Sequence, residues 1–107
     1  MGRDALGEFE QLVLLACLRL GEQAFTVPIL EEIRDRTGRD PSHAAVYIAL
    51  RRLEKKGLLT AVEVDDPPPT AGRSHIRYQL THAALPLLRE QRDALMSMWA
   101  GLEAVEE

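Results

Sequence analysis

A single cysteine, Cys17, is all the thiol chemistry this 107-residue sequence offers, so no disulfide can form within the chain. Its place inside Leu12-Val-Leu-Leu-Ala-Cys-Leu18 reads as a buried, inert thiol. Long apolar stretches are missing too. That same segment is the longest, far short of the ~20 residues that span a bilayer, so no membrane partner is expected. Met1-Gly2-Arg3-Asp4 lacks the ordered basic, apolar and cleavable regions of a secretory leader, and a cytoplasmic location is expected. His43, His75 and His82 are scattered over three segments with one cysteine between them all, which excludes a zinc-ligand spacing. There is no phosphate-cradling glycine loop and no nucleophile in a recognisable motif, so neither catalytic residues nor a cofactor are expected.

What is present is ordinary globular composition, 46% hydrophobic and 28% charged, in a length that suits one compact domain. Net charge is −4, which taken alone argues against a polyanionic partner. The distribution argues otherwise. Between Arg34 and Lys56 seven basic residues face three acidic ones, and Arg73 and Arg77 follow with no acid between them. The remainder carries fourteen acidic and four basic residues. Such segregation suits one basic face on an acidic body.

Periodicity divides the chain into four helices and a hairpin. From Leu6 to Leu20, Phe9, Val13, Ala16, Cys17 and Leu20 share one helical face and Leu14, Leu15 and Leu18 the opposite one, so both sides need cover. Gly21 ends that helix. Thr26 is the expected N-cap of the second, with Pro28 in its first turn and Gly38 at its end. A third helix runs from about Ser42 to Lys56, capped by either Asp40 or Ser42 and stopped by Gly57. Two helices joined this tightly form a helix-turn-helix. Val46, Leu50 and Leu53 point inward, while Ala44, Tyr47, Ile48, Arg51, Arg52 and Lys55 lie opposite. Leu58–Val64 and His75–Leu80 alternate around a proline-rich stretch with Gly72 and read as a hairpin. Thr81 is the expected cap of a last helix, with Pro86 one turn in. There Leu85, Leu88, Arg92, Leu95, Trp99 and Leu102 follow a 3,4,3,4,3 spacing, a heptad seam that needs a partner. The fold class is therefore mainly α with a small β-hairpin. It combines a winged helix-turn-helix over residues 1–81 with a C-terminal dimerisation helix over 82–107.

Leu6-Gly-Glu-Phe-Glu-Gln-Leu-Val-Leu-Leu-Ala16, Ala45-Val-Tyr-Ile-Ala-Leu-Arg-Arg-Leu-Glu-Lys-Lys-Gly57, and Gly72-Arg73 leading to Tyr78-Gln-Leu-Thr81 together resemble the PadR family of bacterial transcriptional regulators, in its short form with one C-terminal helix. The middle block is the most demanding pattern. The resemblance implies a homodimer that represses from a palindromic double-stranded DNA operator and that a small molecule can release. The chain departs from the pattern at Phe25-Thr26, where members often carry Tyr-Gly, at Ala44, and in the wing at His75, Ile76 and Arg77.

On this reading Ser42, His43, Tyr47 and Arg51 are the candidates for base edges, with Tyr47 equally suited to a phosphate or to packing. Arg52 and Lys55 serve the phosphates, and Arg73 and Arg77 of the wing reach the adjacent minor groove or its backbone. The plain alternative for these cations is a solvated helix face. Ala44 and Ile48 put small or apolar groups on the groove-facing side, which leaves specificity to few polar contacts and to DNA shape. Leu14, Leu18, Leu88, Leu95, Met96, Trp99 and Leu102 are the expected dimer interface. Met96, Met98 and Trp99 suit either a pocket for a small aromatic effector or plain interface core. A winged-helix protein-interaction module without DNA binding, or a regulator of the penicillinase-repressor or MarR type, would share the architecture.

Overall fold

The computed structural model describes residues 6–106. Helix α1 spans Glu8–Leu20, α2 Thr26–Thr37, α3 His43–Lys55 and α4 Ala84–Trp99; strands β1, Leu59–Glu63, and β2, Ile76–Leu80, form an antiparallel hairpin between α3 and α4. α1 starts two residues later than the apolar pattern suggests, because Glu10 reaches back and accepts the Gly7 N–H at 3.1 Å. Leu6 is tucked into the core ahead of it. The helix ends at Gly21, whose φ of 58° suits a residue without a Cβ. Val13, Ala16 and Cys17 are buried as expected, and so is Leu14, which is fully covered within its own chain. This corrects its assignment to the second face: Leu14 shares the core with Ala84 and Leu88, the first turns of α4, which lie alongside α1. Leu15 and Leu18 are left exposed, at 41% and 48%. Leu88, expected at the dimer seam, is buried in that same core.

α2 begins at Thr26 itself, with Phe25 in the N-cap position and no side-chain cap. The expected Thr26 cap is thus not made. The helix start is held by burial of Phe25, Thr26 and Pro28 instead. Gly38 closes α2 in the left-handed region. For α3 the structure decides between the two candidate caps: Ser42 Oγ accepts the Ala45 N–H at 3.0 Å. Ile29 and Ile33 of α2 meet Val46, Ala49, Leu50 and Leu53 of α3 in the core under α1.

The hairpin pairs Leu59 with Leu80 through to Glu63 with Ile76, and Tyr78 is buried against the helices. β2 also donates the Tyr78 N–H to Ala24 O, so it lies between β1 and the chain entering α2. The loop between the strands is not a free tip. A short 3-10 turn, Pro69–Ala71, folds back toward α2, burying Ala71 and placing Thr70 Oγ1 on Gln23 Oε1 at 3.1 Å.

Thr81 caps nothing, contrary to expectation. Its hydroxyl donates to Gly57 O at 2.7 Å and its N–H to Leu58 O, clasping the end of α3 to the approach of α4. α4 starts three residues later, so Pro86 falls in the first turn, where its missing donor removes no helical bond. α4 ends at Trp99. Gly101, with φ 87°, turns the chain, and Leu102 lies beyond the helix rather than on its seam. The far half of α4 projects, so the radius of gyration is 15.1 Å, against about 13 Å for a compact chain of this length.

Candidate nucleic-acid interface

α3 owes its orientation to four inward residues, Val46, Ala49, Leu50 and Leu53, and presents Ala44, Tyr47, Ile48, Arg51, Arg52 and Lys55 to solvent. His43 is exposed at its first turn, and Ser42 just before it has its oxygen engaged as the cap. Tyr47 and Arg51 are not independent. Arg51 Nη1 donates to the Tyr47 hydroxyl at 2.8 Å, its guanidinium lies 5.8 Å from the ring centroid, and Glu54 stands 3.7 Å from its Nε.

Pairing elsewhere narrows the basic face. Arg36 and Arg19 share Glu32, Arg39 meets Glu8, Arg34 meets Asp35, and Lys56 meets Glu10 at 3.0 Å. Hydrogen bonding to Arg36 and then to Arg19 outweighs desolvation and holds the Glu32 carboxyl below its ordinary range. At Glu10 burial pushes upward, but hydrogen bonds from Lys56 and Gly7 and the charges of Lys56 and Arg52 prevail, and its carboxyl too sits low. Among the described residues the cations without a carboxylate within 4 Å are Arg52, Lys55, Arg73, Arg77 and Arg89. Counting charge along the chain missed this, because Glu8 and Glu10 reach Arg39 in the turn after α2 and Lys56 just past the end of α3, 31 and 46 positions away.

In the wing, Arg73 is exposed directly after Gly72, and His75 Nδ1 lies 3.0 Å from Val64 O at the loop's base. Arg77 is half-buried in a groove with Leu18, Gly21 and Glu22, none of them from α3. Leu18, Leu95, Met96, Trp99 and Leu102 are exposed in one chain, whereas Leu14 and Leu88 are not. An apolar cleft that the sequence did not announce runs between α1 and α2, floored by Leu12, Leu15 and Leu18 and rimmed by Arg19, Glu32 and Arg36; its lining includes neither Met96 nor Trp99. Among the described residues no three His, Cys, Asp or Glu side chains gather closely enough to hold a metal ion. Cys17 is buried, which pushes its thiol up to about 12.

The sequence profile of the transcriptional regulator PadR-like family matches residues 14–84, from the middle of α1 to the first residue of α4. The chain belongs to the PadR-like family. Solved structures agree on the fold. A PadR family transcriptional regulator from Eggerthella lenta is 28% identical, with a TM-score of 0.64 over 94% of this chain and 87% of that one. A PadR-like transcription factor from Bacteroides fragilis, 21% identical, has a TM-score of 0.70 over 91% and 88%. A PadR family regulator from Clostridium difficile, 19% identical, reaches 0.69 over 92% and 94%. No curated protein matches the chain. Membership makes this PadR-like chain a transcriptional regulator and not an enzyme. None of its described helices is long and apolar enough to cross a membrane.

Proposed function

We propose that this PadR-like chain is a homodimeric repressor that places α3 of each subunit in the major groove of a palindromic operator. The observation that carries the reading is the exposed face of α3, where Arg52 and Lys55 have no carboxylate partner among the described residues while Arg39 and Lys56 are paired with Glu8 and Glu10. His43, Tyr47 and Arg51 meet base edges at the start and middle of the helix, Ser42 adds its hydroxyl proton, and Arg52 and Lys55 hold phosphates. Arg73 extends the contact from the wing, with Arg77 a secondary contributor. The subunits join through Leu18 and the projecting half of α4, Leu95, Met96 and Trp99, with Leu102 at the margin and Leu14 and Leu88 supporting from beneath. A small aromatic effector would bind against Trp99 at that joint.

Affinity for duplex DNA at several salt concentrations tests the reading. Log affinity falls steeply with log salt when several phosphates are neutralised. A flat response, or no binding to the promoter upstream of its own gene, overturns it and favours a protein-interaction module. Binding without lowered transcription from that promoter would remove the repressor role alone.

A further inference from the structure

The exposed face of α3 carries two apolar side chains, Ala44 and Ile48, among its polar and basic ones. At about 100° per residue, Ala44, Ile48, Arg51 and Lys55 fall within about 60° of one another, with Tyr47 beyond Arg51 on one side and Arg52 beyond Ile48 on the other. Ile48 is 54% exposed, on the same face as Arg52 and Lys55, which have no carboxylate within 4 Å among the described residues. It lines a trough with Phe9, Ala45 and Ala49, between α3 and the start of α1. A helix entering a groove sets its centre line on the base edges and its flanks on the two phosphate walls. Arg52 and Lys55 suit the phosphates and Arg51 a base edge, while Ile48 and Ala44 suit something on the base edges that offers no hydrogen bond.

In the major groove one base-edge group fits that description, the C5 methyl of thymine. We infer that Ile48, with Ala44 one turn before it, determines specificity by packing on thymine methyl groups in each half-site. The inference rests on the DNA-binding reading above and deepens it. A methyl contact also explains how an isoleucine is tolerated there. Against a cytosine N4 donor or a guanine O6 acceptor, Ile48 would strip water from a polar edge and return no hydrogen bond, so discrimination is by penalty as well as by contact.

The test alters the DNA and leaves the fold untouched. Duplexes selected from random oligonucleotides give the half-site, and each thymine in it is then replaced singly by deoxyuridine, which keeps the pairing and removes the methyl. The native chain loses about fourfold in affinity at one or two positions per half-site, corresponding to about 0.8 kcal/mol for one buried methyl-sized group. Ile48→Ala binds the thymine duplex more weakly and is indifferent to uracil at one of those positions, while Ile48→Val keeps the sensitivity. Equal affinity for thymine and uracil at every position overturns this inference and leaves DNA binding standing. The same holds if Ile48→Ala retains the full sensitivity. A chain that binds no duplex overturns the DNA reading itself, and this inference with it.

Discussion

At the scale of single residues, the α3 surface separates side chains that are held from side chains that are free. Arg51 is held by Tyr47 and Glu54, so its guanidinium is oriented before any partner arrives. Arg51→Ala is expected to cost ~1–3 kcal/mol on the selected operator and to relax preference at one position. Lys55, with no such tether, is expected to act alike on all sequences: Lys55→Ala weakens specific and random duplexes equally and reduces the salt slope by about 1. Titrations of both variants against both kinds of duplex check the division, and equal losses from Arg51→Ala on both kinds would refute it. The hydrogen bond also makes Tyr47→Phe and Arg51→Ala non-additive, with a coupling of ~0.5–3 kcal/mol in a double-mutant cycle. The residue types on this face were legible in the sequence, because inward Val46, Leu50 and Leu53 fix which side is outward. The tether between Tyr47 and Arg51 was not, since (i, i+4) spacing permits a bond without requiring one.

At the scale of elements, the helix stops were the most readable features. Gly21, Gly38 and Gly57 all adopt positive φ, a conformation that glycine alone reaches freely. The starts were less so. Thr26 and Thr81 carry the composition of a cap, yet one is buried at the first helical position and the other bonds Gly57 across the fold. A hydroxyl's partner is decided by tertiary neighbours, which local pattern does not contain. Ser42 is a genuine cap. Ser42→Ala is expected to lower stability by ~1 kcal/mol, whereas Ser42→Asp keeps the cap but sets a negative charge on the DNA face; urea unfolding and duplex titration separate the two effects. The Glu10–Lys56 pair, 9% and 23% exposed, ties the start of α1 to the end of α3. Because the Glu10 carboxyl is lowered in the fold from its ordinary 4.5, its contribution is complete above that value and is lost as pH falls through the lower folded one. Glu10→Gln should therefore lower stability to urea near neutrality, on the order of 1 kcal/mol, and the gap should narrow as pH falls below the ordinary 4.5. A gap independent of pH would show that packing, not charge, holds the two helices together.

At the scale of the whole molecule, the structure splits what the sequence presented as one seam. Leu88 belongs to the chain's own core, Leu95 and Trp99 to the projecting end of α4, and Leu102 to the turn after it. A heptad pattern records which residues share a face; it does not say where along that face one chain's own cover ends. Leu95→Asp is expected to give monomers by light scattering together with a loss of operator affinity. An unchanged dimer would move the joint away from α4, toward the cleft between α1 and α2. The chain also contains one thiol and one indole, the first buried and the second exposed. Cys17 is 2% exposed in the centre and Trp99 51% exposed at the far end of α4. Buried to this degree, Cys17 is expected to react through openings of the core, so that its labelling rate is the opening equilibrium multiplied by the rate of a free thiol. Trp99 emission follows the α4 end on its own timescale. The native sequence thus carries its own clock for the core and its own lamp for the joint, and a ligand that quiets the first without dimming the second has stiffened the body without touching that end of α4.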